Sequence, residues 1–208
     1  ENNKIWMLIT PNEIETMKPH IKEMKGNVII FGLGLGYIAY MLSEKDDIKN
    51  ITIVENNKTI IELAKNYILP QFKNKDKIKI IYKDAFVFLK ENMNDKVDYC
   101  FFDLWHNPND ALKINIKIIN YEKKYKNIKF LYWIEESIIA LIRRCYITLL
   151  YENINGYDES NYLHKKDIYD ELINKLYFYH KNDEINNFDQ IKELLSKEKI
   201  KENIRKIY

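Results

Sequence analysis

With 208 residues, 46% of them hydrophobic and 13% aromatic, the chain can bury one sizeable core with an extension beside it, which excludes a disordered or low-complexity segment. Its 33 basic and 31 acidic residues leave a formal net charge of +2, too close to neutrality for an electrostatic nucleic-acid footprint. Only two cysteines, no C-x-x-C or H-E-x-x-H spacing and no long apolar run argue against a disulfide framework, a zinc site and a membrane span.

Residues 1–25 read as an N-terminal helical segment. The chain begins at Glu1 rather than Met, which leaves open that residues precede it. Pro11-Asn12-Glu13 is a helix start, because proline fits the first turn, and Ile14, Met17 and Ile21 then share one face.

A cofactor-binding domain is expected over residues 26–155. Val28–Phe31 is a short, continuously apolar run that meets three alternating glycines, Gly32, Gly34 and Gly36. Such a run reads as a strand buried on both faces. Glycine suits the turn after it, where the chain bends sharply and a ligand must approach the backbone. A helix over Tyr37–Ser43 follows, with its first N–H groups aimed at that ligand. Strand, glycine turn and helix open a nucleotide-binding α/β unit. Two registers compete: Gly34, Gly36 and Ala39 fit the dinucleotide pattern G-x-G-x-x-A, whereas Gly32, Gly34 and Gly36 fit G-x-G-x-G.

Asn50–Val54 is the second predicted strand. It ends on Glu55, roughly 20 residues past the glycines, where a carboxylate can accept hydrogen bonds from both hydroxyls of a ribose. A helix is predicted over Lys58–Leu69. Lys77–Tyr82 is the third strand, followed by Asp84-Ala85 and a helix over Ala85–Glu91. Val97–Phe102 is the fourth, followed by Asp103-Leu104-Trp105-His106. Helices are expected over Ala111–Tyr125 and Glu135–Tyr151, with a fifth strand at Ile128–Trp133 between them. The alternation implies right-handed crossovers and a parallel sheet. Ligands then bind at the carboxyl ends of the strands, where Gly32–Gly36, Glu55, Asp84 and Asp103 all fall. Cys100 and Cys145 lie in an apolar strand and an apolar helix, so buried free thiols and a reducing, cytoplasmic setting are expected.

Residues 156–208 read as a helical C-terminal extension, with amphipathic helices over Lys166–His180 and Asp189–Ile207 and no closing strand hairpin. The run KEKIKENIRK is expected to be a solvated helix face with i to i+4 charge pairs. The extension is a candidate surface for covering the sheet or for homo-oligomerisation. His20, His164 and His180 fall on predicted helices and are expected in surface or capping roles.

The segments GLGLGY, TIVEN, KDAFVFL and DYCFFDLWHNP stand in order and spacing that resemble the class I S-adenosylmethionine-dependent methyltransferases over roughly Gly26 to Trp133. Within that family the likeness is to the spermidine-synthase-like branch. The resemblance implies a Rossmann-like, doubly wound, mostly parallel sheet with helices on both faces. It implies S-adenosylmethionine as cofactor, held by Gly32, Leu33, Gly34, Gly36 and Tyr37 of the turn, by Glu55 and Asn56 at the ribose, by Asp84 and Ala85 at the adenine, and by Asp103, Leu104 and Trp105. Asp103 and His106 stand where a base would take a proton from the methyl acceptor, a small molecule or other partner that the sequence does not identify. Trp133, Glu135 and Glu136 follow the fifth strand, at the edge of an acceptor pocket.

Three departures qualify the likeness. Ile30 stands where many members carry an acid, the turn is GLGLG rather than G-G-G-D-G, and His106 replaces the second acid of a D-x-x-D pair. Polyamine aminopropyl transfer and a non-catalytic module that has kept the fold therefore stand beside methyl transfer as alternatives. An NAD-dependent oxidoreductase fits the glycines alone, since no hydride-transfer constellation stands out.

Overall fold

Helix α1 (Pro11–Glu23) starts on a reciprocal capping box. The Thr10 hydroxyl accepts from the Glu13 N–H at 3.3 Å, and Glu13 Oε2 accepts from the Thr10 N–H at 2.8 Å. Pro11 occupies the first position, where its missing N–H is an orphan in any case. Ile21 is buried and Ile14 and Met17 are half-buried, as the expected apolar face requires.

The computed structural model describes residues 8–94, 96–158 and 167–208. These form two compact units interleaved in sequence. One holds the residues up to His106 together with Lys124–Ile134, and the other holds Asn107–Lys123 together with Glu135–Tyr208. The expectations for residues 1–7, His164 and Lys166 fall outside the described residues.

In the first unit, β1 (Gly26–Phe31), β2 (Ile48–Glu55), β3 (Ile78–Tyr82), β4 (Tyr99–Phe102) and β5 (Lys129–Tyr132) form one wholly parallel sheet, in the order β3-β2-β1-β4-β5. This is the Rossmann-like α/β arrangement that the alternation predicts, and its strand order reverses between β1 and β4. Val28, Ile29, Ile30 and Phe31 are all buried, so neither face of β1 meets water. The register sets Phe31 beside Phe102, and Phe102 beside Tyr132. Their rings stack at 4.6 Å and 5.5 Å across the sheet. The other face carries Ile30, Phe101 and Leu131, packed in one cluster with Ile21 of α1 and with Ile38 and Leu42 of α2 (Tyr37–Ser43). Cys100 and Cys145 are buried and unpaired, as expected. Burial pushes the Cys145 thiol up to about 12 and moves Cys100 in the same direction.

The helix predicted over Lys58–Leu69 is not continuous. Helix α3 (Lys58–Leu63) widens into a π-helical turn at Ala64–Ile68 and ends in a 3-10 turn at Leu69–Gln71. Pro70 lacks the N–H that an α-helix needs and crowds the preceding turn, and the Leu69 N–H reaches back to the Ala64 carbonyl instead. Helix α4 (Ala85–Glu91) matches its prediction.

The second unit is helical: α5 (Pro108–Lys124) as far as Lys123, α6 (Glu135–Asn155), α7 (Ile168–His180), α8 (Phe188–Leu194) and α9 (Lys197–Ile207). The single helix expected over Asp189–Ile207 is thus two. Ser196 caps α9 by accepting from the Lys199 N–H, and Arg143 Nε donates to the Leu195 carbonyl at 2.9 Å, so the break has partners on both sides. No helix among the described residues is long and apolar enough to cross a membrane.

Two further expectations are corrected in this unit. The basic face of α9 is not simply solvated: Lys197 and Lys201 both pair with Glu135, Lys197 also pairs with Glu136, and Arg205 pairs with Glu122. Within α9, Lys206–Glu202 is an i to i+4 pair and Lys199–Glu202 an i to i+3 pair. His180 is buried rather than on the surface. Its Nδ1 lies 2.7 Å from Asp183 Oδ2, and its Nε2 lies 3.3 Å from the Tyr146 hydroxyl, which accepts from Asn203 Nδ2 at 3.0 Å. A proton on Nδ1 satisfies the whole set, since Tyr146 can then donate to Nε2.

Burial alone would raise the Glu135 carboxyl, but Lys201 and Lys197 outweigh it and hold the group below its usual range. A folded carboxyl held low contributes stability above the unfolded value and loses it as pH falls through the folded one. Wild-type stability is therefore expected to drop more steeply in acid than that of Glu135→Gln. Paired urea titrations from neutrality to pH 3 check this, and parallel curves would contradict it.

Candidate functional site

The ladder hydrogen bonds continue past the strand ends. The Gly32 N–H donates to the Val54 carbonyl at 2.9 Å and the Asp103 N–H donates to the Phe31 carbonyl at 2.9 Å. The residues after β1 and β4 therefore leave the sheet side by side, at the point where the strand order reverses. A crevice opens there in open α/β sheets. Gly32 has φ 95°, and a Cβ on it would lie 2.1 Å from the Asp103 carbonyl oxygen. Only glycine allows so close an approach. Gly36 N-caps α2 in the left-handed region, φ 78°, and its N–H closes the turn onto the Leu33 carbonyl at 3.0 Å.

Glu55 ties this turn to the end of β2. Its Oε2 accepts from the Leu33 N–H at 2.9 Å and its Oε1 accepts from the Asn57 N–H at 2.8 Å. The residue is buried, yet each oxygen has taken one bond and can accept another. Asn56 is exposed, while Asn57 caps α3 by accepting from the Thr59 and Ile60 N–H groups. Asp84 caps α4 through Oδ1, at 2.9 Å from the Phe86 nitrogen and 3.0 Å from the Val87 nitrogen. Its second oxygen takes neither bond.

The loop after β4 holds the remaining predicted residues. Asp103 is half-buried; burial, then the charges of Glu13 and Glu55, push its carboxyl up to about 7. Trp105 is buried and stacks on Tyr132 with centroids 6.5 Å apart, and its Nε1 is a buried donor with no hydrogen-bond partner among the described residues. His106 is exposed.

Several predicted residues serve as packing. Leu33 and Ala85 are buried side chains, and Tyr37 is half-buried against the core cluster. What Leu33 offers the site is its backbone N–H, already held by Glu55. Leu104 is half-buried and Gly34 turns the chain with φ 55°. Trp133 Nε1 donates to Thr16 Oγ1 at 3.0 Å, and Glu135 and Glu136 are paired with lysines of α9.

The residue that sequence reasoning missed is Glu13. The pattern Thr10-x-x-Glu13 signals a capping box and so a fixed carboxylate at the start of α1. Nothing local signals that the helix lies against β4. Among the described residues, no three His, Cys, Asp or Glu side chains form a group that could hold a metal ion.

Residues 12–129, from the first turn of α1 to the start of β5, match the spermine/spermidine synthase domain. No curated protein matches the chain.

Proposed function

The chain belongs to the spermine/spermidine synthase family, and from that premise we propose that it is a transferase that moves a methyl group from S-adenosylmethionine to an acceptor at the carboxyl edge of its sheet. The observation that carries this reading is Glu55, buried beside the glycine turn, with one backbone N–H on each oxygen and capacity for two ribose hydroxyls besides. The residues present fit such a ligand in three further respects. Gly32 lets the turn after β1 lie directly against the Asp103 backbone, Asp84 has an oxygen free of its capping bonds for the adenine amino group, and Trp105 Nε1 is a donor in want of an acceptor.

When bound, S-adenosylmethionine would supply an electrophilic methyl carbon for an acceptor's lone pair, with the sulfur as leaving group. This chain's residues align the partners and exclude water. An amine or hydroxyl acceptor must also lose a proton. Asp103 is the group to take it, because a carboxyl pushed up to about 7 is both partly ionised and a competent base near neutral pH. His106, three residues on, can pass that proton to solvent.

Aminopropyl transfer from decarboxylated S-adenosylmethionine is the second reading. The family match is equally consistent with it, and His106 in place of a second acid counts against it.

Calorimetric titration with S-adenosylmethionine, S-adenosylhomocysteine, decarboxylated S-adenosylmethionine and NAD decides between them. Micromolar binding of the first two is expected. Binding of the decarboxylated form alone would put aminopropyl transfer in place of methyl transfer. NAD alone would overturn the sulfonium reading, and silence from all four would leave a non-catalytic module.

A further inference from the structure

Helix α1 is laid along the sheet so that each turn marks a position on it. Near its end, Glu23 pairs with Lys129 at the start of β5. One turn back, His20 packs edge-on against Phe101 of β4, centroids 5.4 Å apart. Another turn back, Thr16 accepts from the indole of Trp133, just beyond β5. The helix therefore runs antiparallel to β4 and β5, and its first turn overhangs their carboxyl ends. Glu13 lies three residues before Thr16, about 4.5 Å further along the axis. Asp103, the first residue after β4, is held at that edge by its N–H bond to Phe31.

Glu13 is also fixed in direction, since Oε2 is engaged by the Thr10 N–H. Glu55 is equally fixed, bound by two backbone N–H groups. The charges of these two held carboxylates both act on the Asp103 carboxyl. The charged groups that act on it are Glu13 of α1 and Glu55 of β2; His20 packs against Phe101, two residues before it, and His106 stands three residues after it.

We propose that Glu13 is a positioning residue of this site: pinned by the capping box over the end of β4, its carboxylate sets the charge state of Asp103, which gives up its proton when a cationic group enters between them. The functional part of this inference rests on the transfer reading above, because a sulfonium or an ammonium is the cation that would enter. The coupling itself does not rest on it.

The test is a titration of the aspartate side-chain carboxyls by carbon-13 NMR in the ligand-free protein, with the Asp103 signal assigned by its loss in Asp103→Asn. Glu13→Gln removes the charge yet keeps the cap, since Gln serves in a capping box as Glu does. A thermal melt confirms that the variant is folded. Glu15→Gln is the control, an exposed acid on the same helix that pairs with Lys18. The expected result is an Asp103 midpoint at lower pH in Glu13→Gln and an unchanged one in Glu15→Gln. In a transfer assay, the acid limb of the pH–rate profile moves the same way. An Asp103 midpoint that stays put in a folded Glu13→Gln overturns the proposal. A midpoint that moves in a protein that binds no sulfonium sinks the transfer reading and leaves the coupling standing.

Discussion

Glu55→Ala is expected to weaken S-adenosylmethionine binding by roughly 100-fold, equivalent to about 2.8 kcal/mol, and to lower the thermal stability of the free protein as well. Both effects come from one carboxylate. In the folded chain it accepts from the Leu33 and Asn57 N–H groups, at 2.9 Å and 2.8 Å. Removing it orphans two backbone donors, one of them on the buried Leu33, at about 1–3 kcal/mol for a buried group. The glycine turn then loses its tie to β2, so the ligand loses both the acid that grips its ribose and the turn that faces it. Glu55→Gln separates the two roles. Its amide keeps one acceptor oxygen but turns an NH2 group towards a backbone donor, so stability falls in part while the paired ribose contact is lost. Calorimetry and thermal melts on both variants check this, and undiminished affinity in a folded Glu55→Ala would remove Glu55 from the site.

The parts of the fold that were legible in the sequence are those set by neighbours in the chain. Val28–Phe31 is apolar at every position because β1 is covered on both faces, and such a run ending in glycine has few other readings. Glu55 ends β2 and Asp84 comes two residues after β3, so their places at the carboxyl edge followed from the strands. What stayed hidden is set by partners far along the chain. The break between α8 and α9 depends on Arg143 reaching the Leu195 carbonyl, and the basic residues of α9 find their acids on α5 and α6. His180 reads as a surface residue until Tyr146, Asn203 and Asp183 are brought to it. Ile134, with φ 53°, is a left-handed β-branched residue for which no turn residue gives a signal. Glu13 belongs with these, since its capping box is local but its nearness to Asp103 is not.

Gly32→Ala is expected to destabilise the protein by about 4 kcal/mol, at the severe end for one substitution, whereas Gly36→Ala costs about 1 kcal/mol. Both glycines have positive φ, 95° and 78°, so backbone strain alone does not separate them. Their surroundings do. A methyl on Gly32 would stand 2.1 Å from the Asp103 carbonyl oxygen and 3.1 Å from its carbon, which are backbone atoms held by the Phe31 ladder bond. A methyl on Gly36 would first meet Ile68 Cγ2 at 3.4 Å and Phe72 Cζ at 3.7 Å, ordinary contacts with side chains that can shift. Relief at Gly32 can come only by parting the ends of β1 and β4, the two segments that flank the crevice. The loss of stability should therefore be accompanied by loss of ligand binding, while Gly36→Ala stays largely folded. Denaturant unfolding of the two variants side by side measures the difference. Equal costs would mean that the glycines serve only to turn the chain, and that the close approach of Gly32 to Asp103 does not define the site.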